Sequence, residues 1–395
     1  MSYRTKAILI HSARAVYALN WMDIAPALVY IKSHFSLTAV QLGALITSFY
    51  MGISIFQLMG GYLSSFIGDK KTSLIGLLFV GIFAVTSGLS ANFTELLISR
   101  FFAGLSAALF FSPALSLLAS IVPAEKYSFH IGIYNGAFNV GGGIGVIGWA
   151  IIDIYLGYRI GFLLGGIITI ILFFILYLLF RDIPNIKTER SDIKRSLRKV
   201  FSSKMVILLA FIGIGSMVSE TIIGQFFVYY LESINFSTVF ASSVSSLFLL
   251  MGFLGGVIGG YHYSRTNHKI VVFVGLNISL GILLIVVGFS FNYIVIIALA
   301  IIMGMLAVYA MSVTYTIIRY LARRDLVSMT LSFVNFVQLI IAAIIPIIFT
   351  YLYTFYNYTF SWSAMGILTL AFIPMIFLIK NQLQTVVKSK TSVNK

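Results

Sequence analysis

"MGISIFQLMGGYLSS" occupies residues 51–65, and a near copy, "MGFLGGVIGGYHYS", occupies 251–264. The second copy is one residue shorter and lies 200 residues downstream. The same offset relates Gly104 to Gly304 and Asn135 to Asn335. A repeat on this scale predicts two similar halves. Both copies are apolar stretches rich in small residues. Such stretches suit helices that pack closely in lipid, where small side chains let backbones approach.

The rest of the chain has the same character. Of 395 residues, 60% are hydrophobic and 9% charged, with a mean hydropathy of +1.03. Soluble domains carry about 25% charged residues. The apolar runs are long enough to cross a ~30 Å hydrocarbon core as helices. They do not alternate as barrel strands do. Twelve spans are predicted, near 7–31, 40–64, 72–91, 95–121, 129–152, 159–180, 205–231, 238–262, 270–290, 293–318, 327–352 and 356–379. The first run is too long, and too interrupted by Arg14 and Asp23, to read as a cleavable signal.

The net charge of +15 is an orientation signal. With both termini inside, 22 of the 26 Lys and Arg residues fall inside, and only Lys32 and Arg159 fall outside. This obeys the positive-inside rule, so nucleic-acid binding need not be invoked. The expected organisation is a six-helix bundle over 1–180, a basic cytoplasmic linker over 181–204, a second bundle over 205–380 and a basic tail over 381–395. In the linker, Ile193, Leu197, Val200 and Phe201 share one helical face, as in a helix lying on the inner leaflet, and a plain charged linker is the alternative. With no cysteine, disulfides, thiol chemistry and cysteine metal sites are excluded. No nucleophile constellation or phosphate loop is visible, so neither an enzyme nor an ATP-driven pump is expected, and no cofactor or metal.

Ionisable residues inside spans are expensive and tend to be functional. Arg14, Asp23, Arg100 and Glu220 are the four. At 1.5 Å per residue, Asp23 lies roughly 22 Å up the first helix and Arg100 roughly 7 Å down the fourth from the opposite end. Both therefore reach the outer third. Glu220 lies roughly 22 Å up the seventh helix, within about one turn of the repeat-matched position of Asp23. Burial favours a carboxylic acid and a neighbouring arginine favours a carboxylate. Those opposed effects suit a group that changes protonation, though a static pair tying two helices has the same sequence signature. Tyr17, Asn20, Asn135, Asn139, Gln225, Asn335 and Gln338, with Arg14, are candidate solute contacts, and helix–helix hydrogen bonding is their alternative role. "GAFNVGGGIGVIG" (136–148) is a small-residue stripe for close helix contact. Asn-x-Ser/Thr triplets at Asn92, Asn235 and Asn357 fall in predicted outer loops and are acceptors for glycosylation.

Over nearly its whole length the chain resembles the major facilitator superfamily. The family's second-to-third helix loop reads Gly-x-x-x-Asp-Arg-x-Gly-x-Arg-Lys. "GYLSSFIGDKK" (61–71) matches it at Gly61, Gly68, Lys70 and Lys71, with Ser65 and Phe66 in place of the acid and base. "GYHYSRTNHK" (260–269) keeps Gly260, Arg265 and Lys269. "SRFFAGLSAALFFSPAL" (99–115) resembles the family's Arg-x-x-x-Gly fourth helix, and "GYRIGFLLGGI" (157–167) the start of its sixth. "NWMD" (20–23), followed by Pro26, resembles the first helix of the anion and metabolite–proton symporter branches. Where the organic-anion branch usually carries Arg and Glu, this chain has Ile24 and Ser106.

The resemblance implies a fold of twelve helices in two six-helix repeats, with both termini cytoplasmic. It implies a monomeric secondary transporter of the plasma membrane. Such a protein moves a small polar solute, an organic anion or metabolite, together with protons by alternating access. In the superfamily's sugar–proton symporters an acid in the first helix pairs with the fourth-helix Arg, which implies that role for Asp23 and Arg100. In the family the Gly61–Lys71 loop locks the halves in one conformation. The alternatives are proton-coupled efflux of amphipathic compounds and a receptor that binds solute without moving it.

Overall fold

A computed structural model describes residues 1–123, 126–185, 202–266, 268–321, 327–378 and 380–381. Among them every regular element is helical. The expected linker helix and basic tail fall largely outside the described residues.

The first half comprises α1 (Tyr3–Trp21), α2 (Ile24–Phe35), α3 (Ala39–Ile67), α4 (Asp69–Leu89), α5 (Phe93–Ile121), α6 (Tyr127–Leu156) and α7 (Tyr158–Leu179). The second comprises α8 (Lys204–Ile212), α9 (Ile214–Ser233), α10 (Thr238–Arg265), α11 (Lys269–Val287), α12 (Tyr293–Leu321), α13 (Val327–Phe355) and α14 (Tyr358–Ala371), followed by a 3-10 turn at Ile373–Leu378. Eleven spans among the described residues are long and apolar enough to cross a membrane. The pair α1–α2 is the twelfth, one span broken at Met22–Asp23. The seventh span is also broken, between α8 and α9 at Gly213.

The repeat extends to the caps and the helix crossings. Asn92 caps α5 by accepting from Glu95 N at 3.0 Å, and Asn292 caps α12 by accepting from Ile294 N at 2.9 Å. Asn357 likewise caps α14, accepting from Phe360 N at 2.8 Å. Capping satisfies donors that helix termini otherwise leave open, and it gives Asn92 and Asn357 a role that needs no sugar. At the crossings, Gly104 faces the Phe49 carbonyl and Gly304 the Phe248 carbonyl. Gly81 meets Gly166 between α4 and α7, and Gly281 meets Gly366 between α11 and α14. A Cβ at any of these would collide with backbone, so the small residues fix how closely the helices approach.

The end of the bundle that carries the N-terminus also holds the α7 exit, where Lys6 pairs with Asp182 at 2.9 Å. At the opposite end, the far face, the halves touch. Gly43 of α3 packs on Pro346 and Thr350 of α13. Lys32 Nζ donates to the Tyr229 hydroxyl at 2.9 Å. Deeper in the seam, Ser246 of α10 donates to the Gly143 carbonyl of α6 at 2.7 Å. Gly141, on the other side of the same stripe, lies against the Ala15 backbone of α1.

Candidate functional site

The break after Trp21 puts Asp23 between two helices, with its carboxylate turned into the first half. Arg100 Nη1 of α5 donates to Asp23 Oδ1 at 2.8 Å, and each side chain is only 1% exposed. The guanidinium lies over the rings of Phe49 and Phe162, at 5.0 and 5.6 Å. The pair has spare capacity: Asp23 Oδ2 and Arg100 Nε and Nη2 are buried without hydrogen-bond partners among the described residues. Beside it, between Tyr17, Asn20, Trp21 and Arg100, lies a cavity of about 10 Å³, room for one water.

Arg14 stands at a different level of α1. Its guanidinium lies 4.5–5.2 Å from the ring centres of Tyr17, Phe111, Tyr134 and Phe138. It is 7% exposed, so it does not reach out to the headgroups. Cation–π attraction holds the charge in this box, yet Nε and Nη1 are buried without an acceptor among the described residues. Glu220 of α9 lies within electrostatic reach of Arg14 and of the hydroxyls of Tyr50 and Tyr315. Tyr315 donates to Asn335 Oδ1 at 3.2 Å. Arg14 from one half and Glu220, Tyr315 and Asn335 from the other therefore share one region.

The remaining amide candidates are engaged elsewhere. Asn20 donates to Thr169 Oγ1 of α7 at 2.7 Å and to the Val16 carbonyl at 3.0 Å. Gln225 donates across the halves to the Trp21 carbonyl at 3.3 Å and contacts Met22 Sδ at 3.2 Å. Gln338 donates to the Ala210 and Gly213 carbonyls at 3.3 Å, which fastens the α8–α9 break. Asn139 is buried near Gly252 of α10 and donates to the Asn135 carbonyl at 3.4 Å. Asn135 belongs to the half-buried face of α6.

Of the residues predicted for the gating loop, Gly61 and Ser65 lie in α3 and Lys70 and Lys71 in α4, with Gly68 alone between the helices, and the segment is tied within its own half. Ser65 donates to the Tyr62 carbonyl at 2.7 Å. Gly68 takes φ +87 against the Asn185 side chain, a conformation costly for any residue with a Cβ. Lys70 Nζ donates to the Phe180 and Ile183 carbonyls at 3.2 and 2.6 Å, and Lys71 N donates to Asn185 Oδ1 at 3.3 Å. In the second half, Gly260 and Arg265 belong to the last turns of α10.

Asp153 is a buried acid that the sequence reading does not single out. It lies one residue past the predicted end of the fifth span, but α6 continues to Leu156 and buries it to 3% exposure. It interacts electrostatically with Asp23. The turn at Gly157 (φ +86), not Ile152, ends the helix, so the glycine at 157 was the available signal.

Residues 10–346 match the family profile described as Major Facilitator Superfamily. The hexuronate transporter of Bacillus subtilis (strain 168) is 25% identical over 277 residues, covering 65% of this chain and 64% of its own. The quinolone resistance protein NorA of Staphylococcus aureus is 26% identical over 219 residues, covering 53% and 54%. An uncharacterized MFS-type transporter of Methanocaldococcus jannaschii is 29% identical over 174 residues, covering 44% and 45%. The chain thus spans about half to two thirds of the length of these relatives. Among solved structures, a bacterial homolog of the human lysosomal transporter Spinster, inward-facing and occupied, superposes with a TM-score of 0.78 at 15% identity over 96% of this chain and 97% of its own. A D-xylose–proton symporter does so with a TM-score of 0.77 at 14% identity over 95% and 97%. At such identities the likeness shows the fold alone. The family match over most of the chain and the twelve-span fold make this protein a member of the Major Facilitator Superfamily, a multi-pass protein of the cell membrane.

Proposed function

We propose that the protein imports a small carboxylate-bearing metabolite together with protons by alternating access, as a monomer. The observation that carries this reading is the separation of two charged centres. Arg14 keeps two unmatched donors in an aromatic box that faces the second half. Asp23 and Arg100 pair with each other inside the first half. The first centre is built for an anionic solute: a guanidinium recognises a carboxylate with two parallel donors, and the surrounding rings take the apolar part. The second is built to gain and lose a proton without touching the solute. The halves joined at Lys32–Tyr229 and Gly43–Pro346 are consistent with a state whose far face is closed.

The Bacillus relative's name makes a hexuronate the first probe. Proteoliposomes loaded with unlabelled glucuronate are expected to take up labelled glucuronate by exchange, and to accumulate it under an inward proton gradient. Saturable binding with no exchange would mark a receptor.

Efflux of amphipathic compounds is the second reading. It is favoured by the aromatic wall of Tyr17, Trp21, Phe49, Tyr50, Phe110 and Phe138 and by the similarity to NorA. Proton-driven extrusion of a fluorescent quinolone, with no glucuronate exchange, would favour it.

A further inference from the structure

A vestibule of about 420 Å³ lies between the halves at the far face, and neither charged centre uses it. Two helices end there. The end of α2 supplies Lys32, Ser33 and Ser36, and the end of α9 supplies Tyr229, Glu232 and Ser233. Each helix turns its C-terminal end to the space, which is the negative end of its dipole. Ser33, Ser36 and Ser233 are exposed, so the space is open to water.

The walls carry a cation from the first half and an anion from the second. Lys32 Nζ donates to the Tyr229 hydroxyl at 2.9 Å and stands 5.3 Å from the centre of that ring. An ammonium has three donors, and this one has no second acceptor among the described residues. Nor does any carboxylate, Glu232 included, form an ion pair with Lys32 among the described residues. Glu232 Oε2 is buried and has no hydrogen-bond partner among them. A buried acceptor left open is costly, so a donor belongs beside it.

These charges select the ligand. An anion alone meets Lys32, but also Glu232 and two negative helix ends. A cation alone meets Glu232, but also Lys32. A molecule that carries both charges fills the spare ammonium donors and the open carboxylate oxygen together. Charge-assisted hydrogen bonds of this kind are the strong ones.

We propose that the vestibule is a binding site for a small zwitterion, an amino acid or another amine-bearing acid. Lys32 holds its carboxylate and Glu232 its ammonium, so the bound molecule bridges the two halves at the far face. The site is separate from the Arg14 box and does not rest on the transport reading.

Ligand-observed NMR titration of the full-length protein in lipid nanodiscs tests the proposal. The probe is 4-aminobutyrate, with butyrate and butylamine as its single-charge counterparts. 4-Aminobutyrate should bind roughly tenfold more tightly than either, the scale of one hydrogen bond to a charged group. Lys32→Met and Glu232→Gln should each remove that advantage. Lys32→Arg keeps the cation and should keep most of the affinity, which separates loss of charge from loss of structure. An affinity unchanged by Lys32→Met or by Glu232→Gln overturns the bridge, as does a loss in Lys32→Arg equal to that in Lys32→Met. Equal affinities for the three compounds, or no binding of 4-aminobutyrate, overturn the site. The titration needs no transport, so failure of glucuronate exchange would leave its result standing.

Discussion

Arg100 and Asp23 form an ion pair at 2.8 Å with both side chains 1% exposed, joining the break in the first span to the fourth. A pair this deep is asymmetric in its energetics. Removing one partner strands a charge and costs about 3–5 kcal/mol, whereas replacing both is much milder. Asp23→Ala and Arg100→Ala should each lower the melting temperature of the purified protein sharply. Asp23→Asn combined with Arg100→Gln should recover most of the loss. Equal melting of single and double variants would show that the pair carries no such penalty.

Close helix approach at the repeat-matched glycines predicts a second set of effects. Gly104→Val and Gly304→Val place side chains against the Phe49 and Phe248 carbonyls, and overpacking of this kind costs about 1–3 kcal/mol. Gly148→Ala, which meets nothing within 4 Å, serves as the control and should melt like the parent protein. The two valine variants should behave alike if the halves are packed as copies.

The contact between Lys32 and Tyr229 joins the two halves at the far face. The chain has no cysteine, so a Lys32→Cys, Tyr229→Cys pair can be bridged by a bifunctional methanethiosulfonate reagent without background. The bridge should stop glucuronate exchange, and reduction should restore it. Full exchange in the bridged protein would mean that the far face need not open.

At the opposite face, Lys6 holds the Asp182 carboxyl below the usual carboxylate range. A folded-state pKa that is depressed contributes stability above the unfolded value, near 4, and loses it as pH falls through the folded value. The tether between the N-terminal turn and the α7 exit should therefore hold at neutral pH and release as pH falls through that lowered value. Carboxyl NMR on labelled aspartate should show Asp182 titrating low, and Lys6→Met should raise it toward the ordinary range, with the N-terminal ammonium at 3.5 Å still holding it down in part.

The legibility of the sequence follows physical lines. Twelve spans and two copies were readable because hydropathy and a 200-residue offset are global signals. The meeting of Asp23 and Arg100 was readable because helix rise converts position into depth. The break at Met22–Asp23 was not, since an apolar run looks the same whether its helix is continuous or interrupted. Asp153 was missed because a span's end depends on where the backbone turns, here at Gly157. Which amides face solute and which bind helices, as Gln338 does at the α8–α9 break, depends on side-chain direction that no spacing encodes.

The central claim is that the buried pair carries the coupled proton. Asp23→Asn in proteoliposomes tests it most directly, with exchange and accumulation of labelled glucuronate measured on the same preparation. Exchange at close to the parent rate, with accumulation under an inward proton gradient abolished, is the predicted result. Accumulation equal to that of the parent protein would contradict it.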